Sequence, residues 1–196
     1  MARSGLPSPN WSLRELIQFP SGRCQNLPGE FNDQEFAKKA TKDDKGGFVY
    51  NPLDPDDKRH KTPEGGLRSL GSMTYGGLKS FLYAGASKDD PRVKAAVDWV
   101  RRHYTLSENS GMGQAGLYYY YHTFAKAMAA LGEDPFTDAG GQKHEWRREL
   151  FDELKKRQRD DGSFINRGDR AFGEADPNLA TAFALLALSY ARPAAK

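Results

Sequence analysis

The sequence predicts an all-α protein in which two kinds of helix alternate along the chain. Apolar residues recur at helical spacing in about six segments after residue 31. These segments alternate between a kind that is apolar over most of its surface and a kind that is charged outside one narrow stripe. Corresponding segments lie roughly 45 to 60 residues apart, which is the scale of helical repeats. Two layers satisfy this order, with apolar helices inside and charged helices outside.

The N-terminal part of the chain is predicted to differ from the rest. Residues 1–31 are expected to be irregular or disordered, because prolines and glycines interrupt them and no apolar period is sustained. The repeat region is predicted to cover residues 32–196. Its first helix is short and runs to about Thr41, since Asn32 with Glu35 matches the spacing of a capping box.

Three segments are predicted to form inner helices: 72–84, 117–131 and 177–191. The first carries little charge on any face, and Gly85 is placed to end it. The second presents a wide aromatic and aliphatic surface. The third begins after Asp176, which is suited to cap it, and is apolar on nearly every side. We therefore expect the third helix to be buried all round.

Two segments are predicted to form outer helices: 90–104 and 143–158. In the first, Pro91 occupies the first helical position, and apolar residues repeat on one face only. In the second, Trp146, Leu150 and Leu154 form a narrow stripe among charged residues. Both helices are therefore expected to face water broadly.

Composition excludes several classes of function. The 29 Lys and Arg residues are interspersed with 26 Asp and Glu residues, so no nucleic-acid partner is expected. No run approaches the ~18 apolar residues of a membrane span, and no transmembrane segment is expected. Cys24 is the single cysteine, which fits a reducing, cytoplasmic compartment and leaves peripheral membrane association open. No metal-ligand or nucleotide-binding motif occurs, and no cofactor is expected.

Two segments at the ends of predicted helices share a motif. Residues 154–164 resemble the Gln…Gly-x-Trp repeat of squalene cyclases, with Phe164 in the tryptophan position, and residues 43–48 resemble the tail of another copy. In such a motif the glutamine can bond the last carbonyls of an outer helix, the glycine permits a tight exit, and the aromatic ring packs back under the helix. Together with the alternating helices, the motif resembles the prenyltransferase and squalene oxidase repeat family over residues 32–191.

The resemblance implies a terpenoid-cyclase α/α toroid built of inner and outer helix pairs. A complete ring needs about twelve helices, so this chain supplies about half of an α6/α6 barrel. Half a ring exposes apolar inner helices, and we therefore expect self-association or a missing half of the toroid. The implied function is that of a squalene-cyclase-like domain handling an apolar, isoprenoid-type small molecule; any catalysis would be that of a squalene-type cyclase, an isomerase. The alternatives are a non-catalytic module for protein interaction and a sugar-active α/α toroid.

Three acidic residues are candidates for catalysis. Asp56 lies in a literal match to the Asp-x-Asp-Asp pattern whose central acid protonates squalene in the cyclases, although a solvated turn also explains it. Asp176 starts the most apolar helix, where it would look toward the mouth of a cavity, and Glu174 lies two residues before it. The alternative for Asp176 is an N-cap, worth ~1 kcal/mol.

Aromatic residues are the candidates for ligand binding. Rings that face a cavity can stabilise a cationic intermediate or stack on an apolar or sugar ligand, whereas ring packing between the two layers is the alternative. The candidates are Tyr75, Tyr120, Tyr121, His122 and Phe124. For His122 the further alternative is a core histidine bonded to a neighbouring hydroxyl group.

Overall fold

The computed structural model describes residues 12–54, 58–169 and 171–192. Within these ranges the regular secondary structure consists of helices and one short two-stranded sheet, which confirms the all-α class. The helices are α1 (Leu13–Arg23), α2 (Glu35–Lys38), α3 (Gly71–Tyr83), α4 (Pro91–Arg102), α5 (Leu117–Leu131), α6 (Trp146–Arg157) and α7 (Pro177–Ala191). One short hairpin pairs β1 (Phe136–Thr137) with β2 (Lys143–His144). None of the helices in the described part is both long enough and apolar enough to cross a membrane.

The helices α3, α5 and α7 lie side by side, with α5 packed against both of the others. Residues near the N-terminal ends of all three line one cavity. Toward the C-terminal ends, the Lys126 ammonium group of α5 lies over the rings of Tyr83 in α3 and Tyr190 in α7. The three helices therefore run parallel. The more charged helices flank this row, α4 against α3 and α6 against α7 and α5.

Local signals in the sequence set most helix boundaries. The Asp90 side chain caps α4 by accepting a hydrogen bond from the backbone N–H of Arg92 at 2.8 Å, with Pro91 at the first helical position as predicted. Gly132 ends α5 with a left-handed conformation, φ +69°. The predicted bounds of α5 and α7 agree with the structure. The helix α6 starts three residues later than predicted, because Lys143 and His144 pair with β1 instead.

The two motif segments make the same kind of contact, each with one helix of the parallel row. The backbone N–H of Phe48 donates to Thr74 Oγ1 of α3 at 2.9 Å, and that of Phe164 donates to Thr181 Oγ1 of α7 at 3.0 Å. Both phenylalanine rings are buried. Phe48 thus joins the segment after α2 to the first turns of α3, and Phe164 joins the segment after α6 to the first turns of α7.

The glycine and glutamine of the motif behave differently from each other. Gly162 adopts φ +81°, which permits the tight exit that the motif predicts. Gln158, however, donates from Nε2 to the carbonyl oxygen of Gly162 at 2.9 Å rather than to the last carbonyls of α6. The prediction that this glutamine caps the outer helix is therefore wrong, because its side chain closes the turn that follows.

Two predictions for the N-terminal part are also wrong. Residues 13–23, predicted to be irregular, form α1, which packs on α3 and is held by Gln18 donating to the carbonyl oxygen of Ala84 at 3.3 Å. The next helix, α2, is a single turn ending at Lys38 and not at Thr41. Asn32 does not form the predicted capping box, since its amide is committed to loop contacts.

The helix α7 is not buried all round as expected. Its buried residues are alanines that face α5 and α6, whereas Leu185 is 59% and Leu186 45% exposed. The reason is that helices contact α7 on one side only in the described structure. The composition of the helix predicts neighbours on more sides than this chain supplies.

Candidate functional site

A cavity of about 290 Å³ lies where the N-terminal ends of α3, α5 and α7 meet. Each helix contributes side chains to its wall, and the loops that precede them supply the rest. The lining is mostly apolar and aromatic. It consists of Tyr50, Leu70, Ser72, Met73, Asn109, Met112, Gly116, Tyr119, Phe172, Glu174, Leu179 and Phe183.

Two aromatic rings from separate loops meet at the edge of this cavity. Tyr50 follows the first motif segment, and Phe172 precedes α7; their rings pack edge to face with centroids 6.4 Å apart. Both side chains remain partly exposed. Tyr50 also packs against the imidazole of His60, at 5.6 Å. The rim of the cavity is therefore aromatic and borders on solvent.

Polar side chains from the intervening loops satisfy the free backbone donors at the cavity end of the helices. Asn109, from the loop before α5, accepts a hydrogen bond from the backbone N–H of Ser72 in α3 at 3.0 Å. Glu174, from the loop before α7, accepts from the backbone N–H groups of Tyr118 and Tyr119 in α5 at 3.1 and 2.7 Å. The N-termini of α3 and α5 are thus each capped by the loop that leads into the next helix of the parallel row.

Glu174, a predicted catalytic residue, is fully buried, and both of its carboxylate oxygens accept hydrogen bonds. Besides the two backbone donors of α5, its carboxylate accepts a hydrogen bond from Asn166 Nδ2 at 2.8 Å. Both oxygen atoms of the carboxyl group therefore accept hydrogen bonds from donors of the fold itself. Its geometry fits a buried cap at the cavity wall.

Asp176, a second catalytic candidate, lies outside the cavity lining. Asp176 is exposed, and its carboxylate caps α7 by accepting from the backbone N–H of Asn178 at 2.9 Å. It is not among the residues that line the cavity. Asp56 lies outside the described residues. Of the two candidates that the structure describes, Glu174 lines the cavity and Asp176 does not.

Four of the five predicted ligand-binding residues lie in the core between the helix layers. The Tyr120 and Tyr121 hydroxyl groups donate to the carbonyl oxygens of Thr105 and Leu106 at 2.6 and 2.7 Å, which ties α5 to the loop after α4. Burial raises the pKa of both phenols above the ordinary tyrosine value. The rings of Tyr75, Tyr120 and Phe124 pack edge to face or tilted on one another. None of these residues lines the cavity.

Tyr119 is the tyrosine of this run that reaches the cavity, and the sequence analysis did not single it out. Its ring packs edge to face on that of Phe183, with centroids 5.5 Å apart. Tyr119, His122 and Lys126 follow one another at spacings of three and four residues and so share one face of α5. That face lies opposite the one formed by Tyr120 and Phe124. Lys126 is half-exposed, and its charge indicates in the sequence that this face of α5 is the less buried one.

Three basic side chains lie on the inner face just beyond the cavity. His122 packs against Phe183, with ring centroids 6.1 Å apart, and its Nδ1 atom is buried with no hydrogen-bond partner. Burial first, and then Lys79 and Lys126, lower the pKa of His122. Burial and Lys126 likewise lower the pKa of Lys79. No nearby carboxylate contributes to either shift.

A second polar cluster joins the hairpin to the outer layer. His144 contacts Asp138 through Nε2 at 3.2 Å and Glu149 through Nδ1 at 3.1 Å, and the Tyr104 hydroxyl group donates to Glu149 at 2.9 Å. The backbone N–H of Gln142 and then His144 lower the pKa of Asp138. Every polar group in this cluster has a partner, so its arrangement fits a structural cross-link. No group of His, Cys, Asp and Glu side chains within the described ranges is arranged to hold a metal ion.

The cavity and the neighbouring basic groups of α3 and α5 are thus two features of the described structure that are open to a ligand. Comparisons of the chain with protein-family models, with curated proteins and with solved structures found no match. The function is therefore argued from the geometry of the cavity itself.

Proposed function

We propose that this protein is a squalene-cyclase-like α/α toroid repeat domain whose cavity binds an apolar, isoprenoid-type small molecule. The observation that carries the proposal is the cavity of about 290 Å³ where the N-terminal ends of α3, α5 and α7 meet. Its wall is formed largely by Met73, Met112, Leu179 and Phe183 with neighbouring aromatic rings. Apolar side chains with a few polar groups are the usual lining of small-molecule sites.

Two repeated contacts support the toroid arrangement. Phe48 and Phe164 donate from the backbone to a threonine of α3 and of α7 in the same way. Asn109 and Glu174 cap the N-termini of α3 and α5 from the loop that leads to the next helix. Equivalent contacts at successive helices are what a helical repeat predicts. The parallel row α3, α5 and α7 would then be part of the inner ring.

The size of the cavity limits the ligand. An apolar cavity of about 150 Å³ holds benzene, so one of about 290 Å³ has room for roughly ten to twelve carbon atoms. A ten-carbon isoprenoid fits this volume. A thirty-carbon chain such as squalene would extend beyond it.

The acids of the site favour binding without acid catalysis. Both oxygen atoms of Glu174 accept hydrogen bonds from donors of the fold, and Asp176 is an exposed cap outside the cavity lining. Protonation of an alkene needs a carboxyl group kept in its protonated form. Glycosidic chemistry needs a pair of carboxyl groups, whereas Glu174 is the only carboxylate among the described residues of the lining. The sugar-active alternative therefore has less support.

The test is calorimetric titration with geraniol, a ten-carbon isoprenoid alcohol. Leu179→Trp adds a ring to the cavity wall, and we expect it to weaken binding by at least about tenfold. Leu185→Trp makes the same change on an exposed part of α7 away from the cavity, so it is the matched control and is expected to bind like the wild type. Equal affinities for all three proteins, or no binding to the wild type, would contradict the proposal.

One observation favours a second function, that of a protein-interaction module that closes the ring by pairing with a second copy. Leu185 and Leu186 of α7 are 59% and 45% exposed, and burying one leucine side chain contributes roughly 1.5 to 3 kcal/mol. Sedimentation velocity over a range of protein concentrations tests this alternative. The interaction module predicts that the wild type sediments as a larger species at higher concentration and that Leu185→Lys abolishes this association. A single monomeric species at every concentration contradicts it.

A further inference from the structure

The inner face of α3, α5 and α7 carries positive charge without any acidic residue to balance it. The sequences of these three helices contain no Asp or Glu. Their only formal cations are Lys79 and Lys126, which together with His122 occupy neighbouring positions on α3 and α5. Within the part of the chain that the structure describes, no ion pair joins either lysine to a carboxylate. Three basic groups therefore share one surface with no internal counter-charge.

Aromatic rings hold these basic groups in place. The Lys126 ammonium group lies 5.5 Å from the ring centroid of Tyr83 and 5.6 Å from that of Tyr190. The imidazole of His122 lies against Phe183 and Tyr190, with ring centroids 6.1 Å away in both cases. The cation–π contacts hold the lysine while leaving the N–H donors of its ammonium group unused. Aromatic rings thus hold Lys126 and His122 in place, and Lys79 lies close to both.

The basic surface is continuous with the cavity. Phe183 belongs to both, since it lines the cavity and packs on His122. Along α5, Lys126 follows the cavity residue Tyr119 by seven positions, or ~10 Å at the rise of an α-helix. Along α3, Lys79 follows the cavity residue Met73 by six positions, or ~9 Å. A molecule that fills the cavity and follows the inner face therefore reaches the lysines within its own length.

We propose that Lys79, His122 and Lys126 bind the anionic head group, a carboxylate or a phosphate monoester, of an amphipathic molecule whose apolar chain occupies the cavity. This inference rests on the proposed function, because it assigns a head-group site to the same ligand. The imidazole of His122, whose Nδ1 atom is buried and has no hydrogen-bond partner, lies beside the two lysines. The two ammonium groups supply charge-assisted hydrogen bonds, which are the strongest that a head group can receive.

A second copy of the chain is a poorer occupant of this surface. A two-fold contact through the inner face would bring Lys79 and Lys126 against the same lysines of the other copy, and juxtaposed like charges oppose association. An anionic occupant instead balances the charge of the two lysines. The exposed leucines of α7 that favour ring closure, Leu185 and Leu186, are not part of this basic surface.

The test compares three probes that share one chain length: decanoate, decyl phosphate and decanol, each titrated into the full chain by calorimetry. We expect the wild type to bind at least one of the two anions about tenfold more tightly than decanol. Lys79→Gln and Lys126→Gln should each weaken anion binding about fivefold or more and leave decanol binding unchanged. Lys155→Gln, which removes an exposed lysine of α6, is the matched control and should bind as the wild type does.

The outcomes separate the two levels of the proposal. Equal binding of decanol and both anions, unaffected by either lysine substitution, overturns the head-group site and leaves the apolar cavity standing. Failure of all three probes to bind overturns the cavity function as well. Preference for decanoate over decyl phosphate, or the reverse, identifies the head group. Binding of the anions that Lys155→Gln weakens as much as the other two variants would contradict a localised site.

Discussion

Substitution of Glu174 by glutamine tests whether this buried acid is a structural cap. Its Oε1 atom accepts from the backbone N–H of Tyr119, and its Oε2 atom accepts from that of Tyr118 and from Asn166. A glutamine amide has one oxygen, so its NH₂ group must face at least one of these buried donors. An unsatisfied buried donor and the lost charge at the α5 N-terminus together cost about 2 to 3 kcal/mol. For a protein of this size the midpoint of thermal unfolding should fall by roughly 4 to 12 °C.

The measurement is urea and thermal unfolding followed by circular dichroism. Asp176→Asn is the matched control, because it makes the same acid-to-amide change two residues away at an exposed cap where asparagine serves nearly as well as aspartate. We expect it to change the free energy of unfolding by less than about 0.5 kcal/mol. A Glu174→Gln protein as stable as the wild type would refute the capping role. Cyclised product from squalene or geraniol, detected by mass spectrometry and lost in Glu174→Gln, would instead make it a catalytic acid.

Three further predictions concern the contacts around the site. Thr74→Val should lower the free energy of unfolding by about 1 to 3 kcal/mol, because it leaves the buried backbone N–H of Phe48 without an acceptor. Urea unfolding measures this loss, and an unchanged free energy would contradict the structural role of the motif. Tyr120→Phe should lower the free energy of unfolding by about 1 kcal/mol, because it removes the hydrogen bond to the Thr105 carbonyl oxygen. The affinity for geraniol, measured by calorimetry, should stay unchanged. Because the folded-state pKa of Asp138 is lowered, its contribution is present above the ordinary value of 3.8 and lost as pH falls through the folded-state pKa. Asp138→Asn should therefore be less stable than the wild type near neutral pH, and the difference in the free energy of unfolding should disappear below pH 3.8. A difference that does not depend on pH would contradict this prediction.

The helix pattern could be predicted where local chemistry decides it. The bounds of α5 and α7 followed from apolar periodicity together with Gly132 and Asp176, because caps and periodicity act within a few residues. The helix α1 could not be predicted in the same way. Pro20 lies within it, and it is held by packing on α3 and by the bond from Gln18 to Ala84, both of which depend on the tertiary structure.

The site was less predictable than the fold. The role of Glu174 depends on a contact with α5 that spans 56 residues of sequence, and no local pattern encodes it. For Tyr119 and Tyr120 the difficulty was to choose which face of an apolar helix meets the cavity. Lys126 shares a face with Tyr119 and His122, and this face of α5 is only half-buried. The position of the lysine in the sequence therefore indicates which face of the helix meets the cavity. The apolar surface of α7 predicted the need for neighbours but not their identity.

The cavity function is tested most directly by nuclear magnetic resonance of isotope-labelled methionine methyl groups during titration with geraniol. The chain has four methionines; Met73 and Met112 line the cavity, whereas Met128 is buried farther along α5 and does not. We predict that the Met73 and Met112 resonances shift and saturate together, with the same dissociation constant as in calorimetry, while Met128 is unaffected. Unchanged resonances at saturating geraniol, or shifts of Met128 equal to those of Met73 and Met112, would contradict a ligand site at the N-terminal ends of α3, α5 and α7.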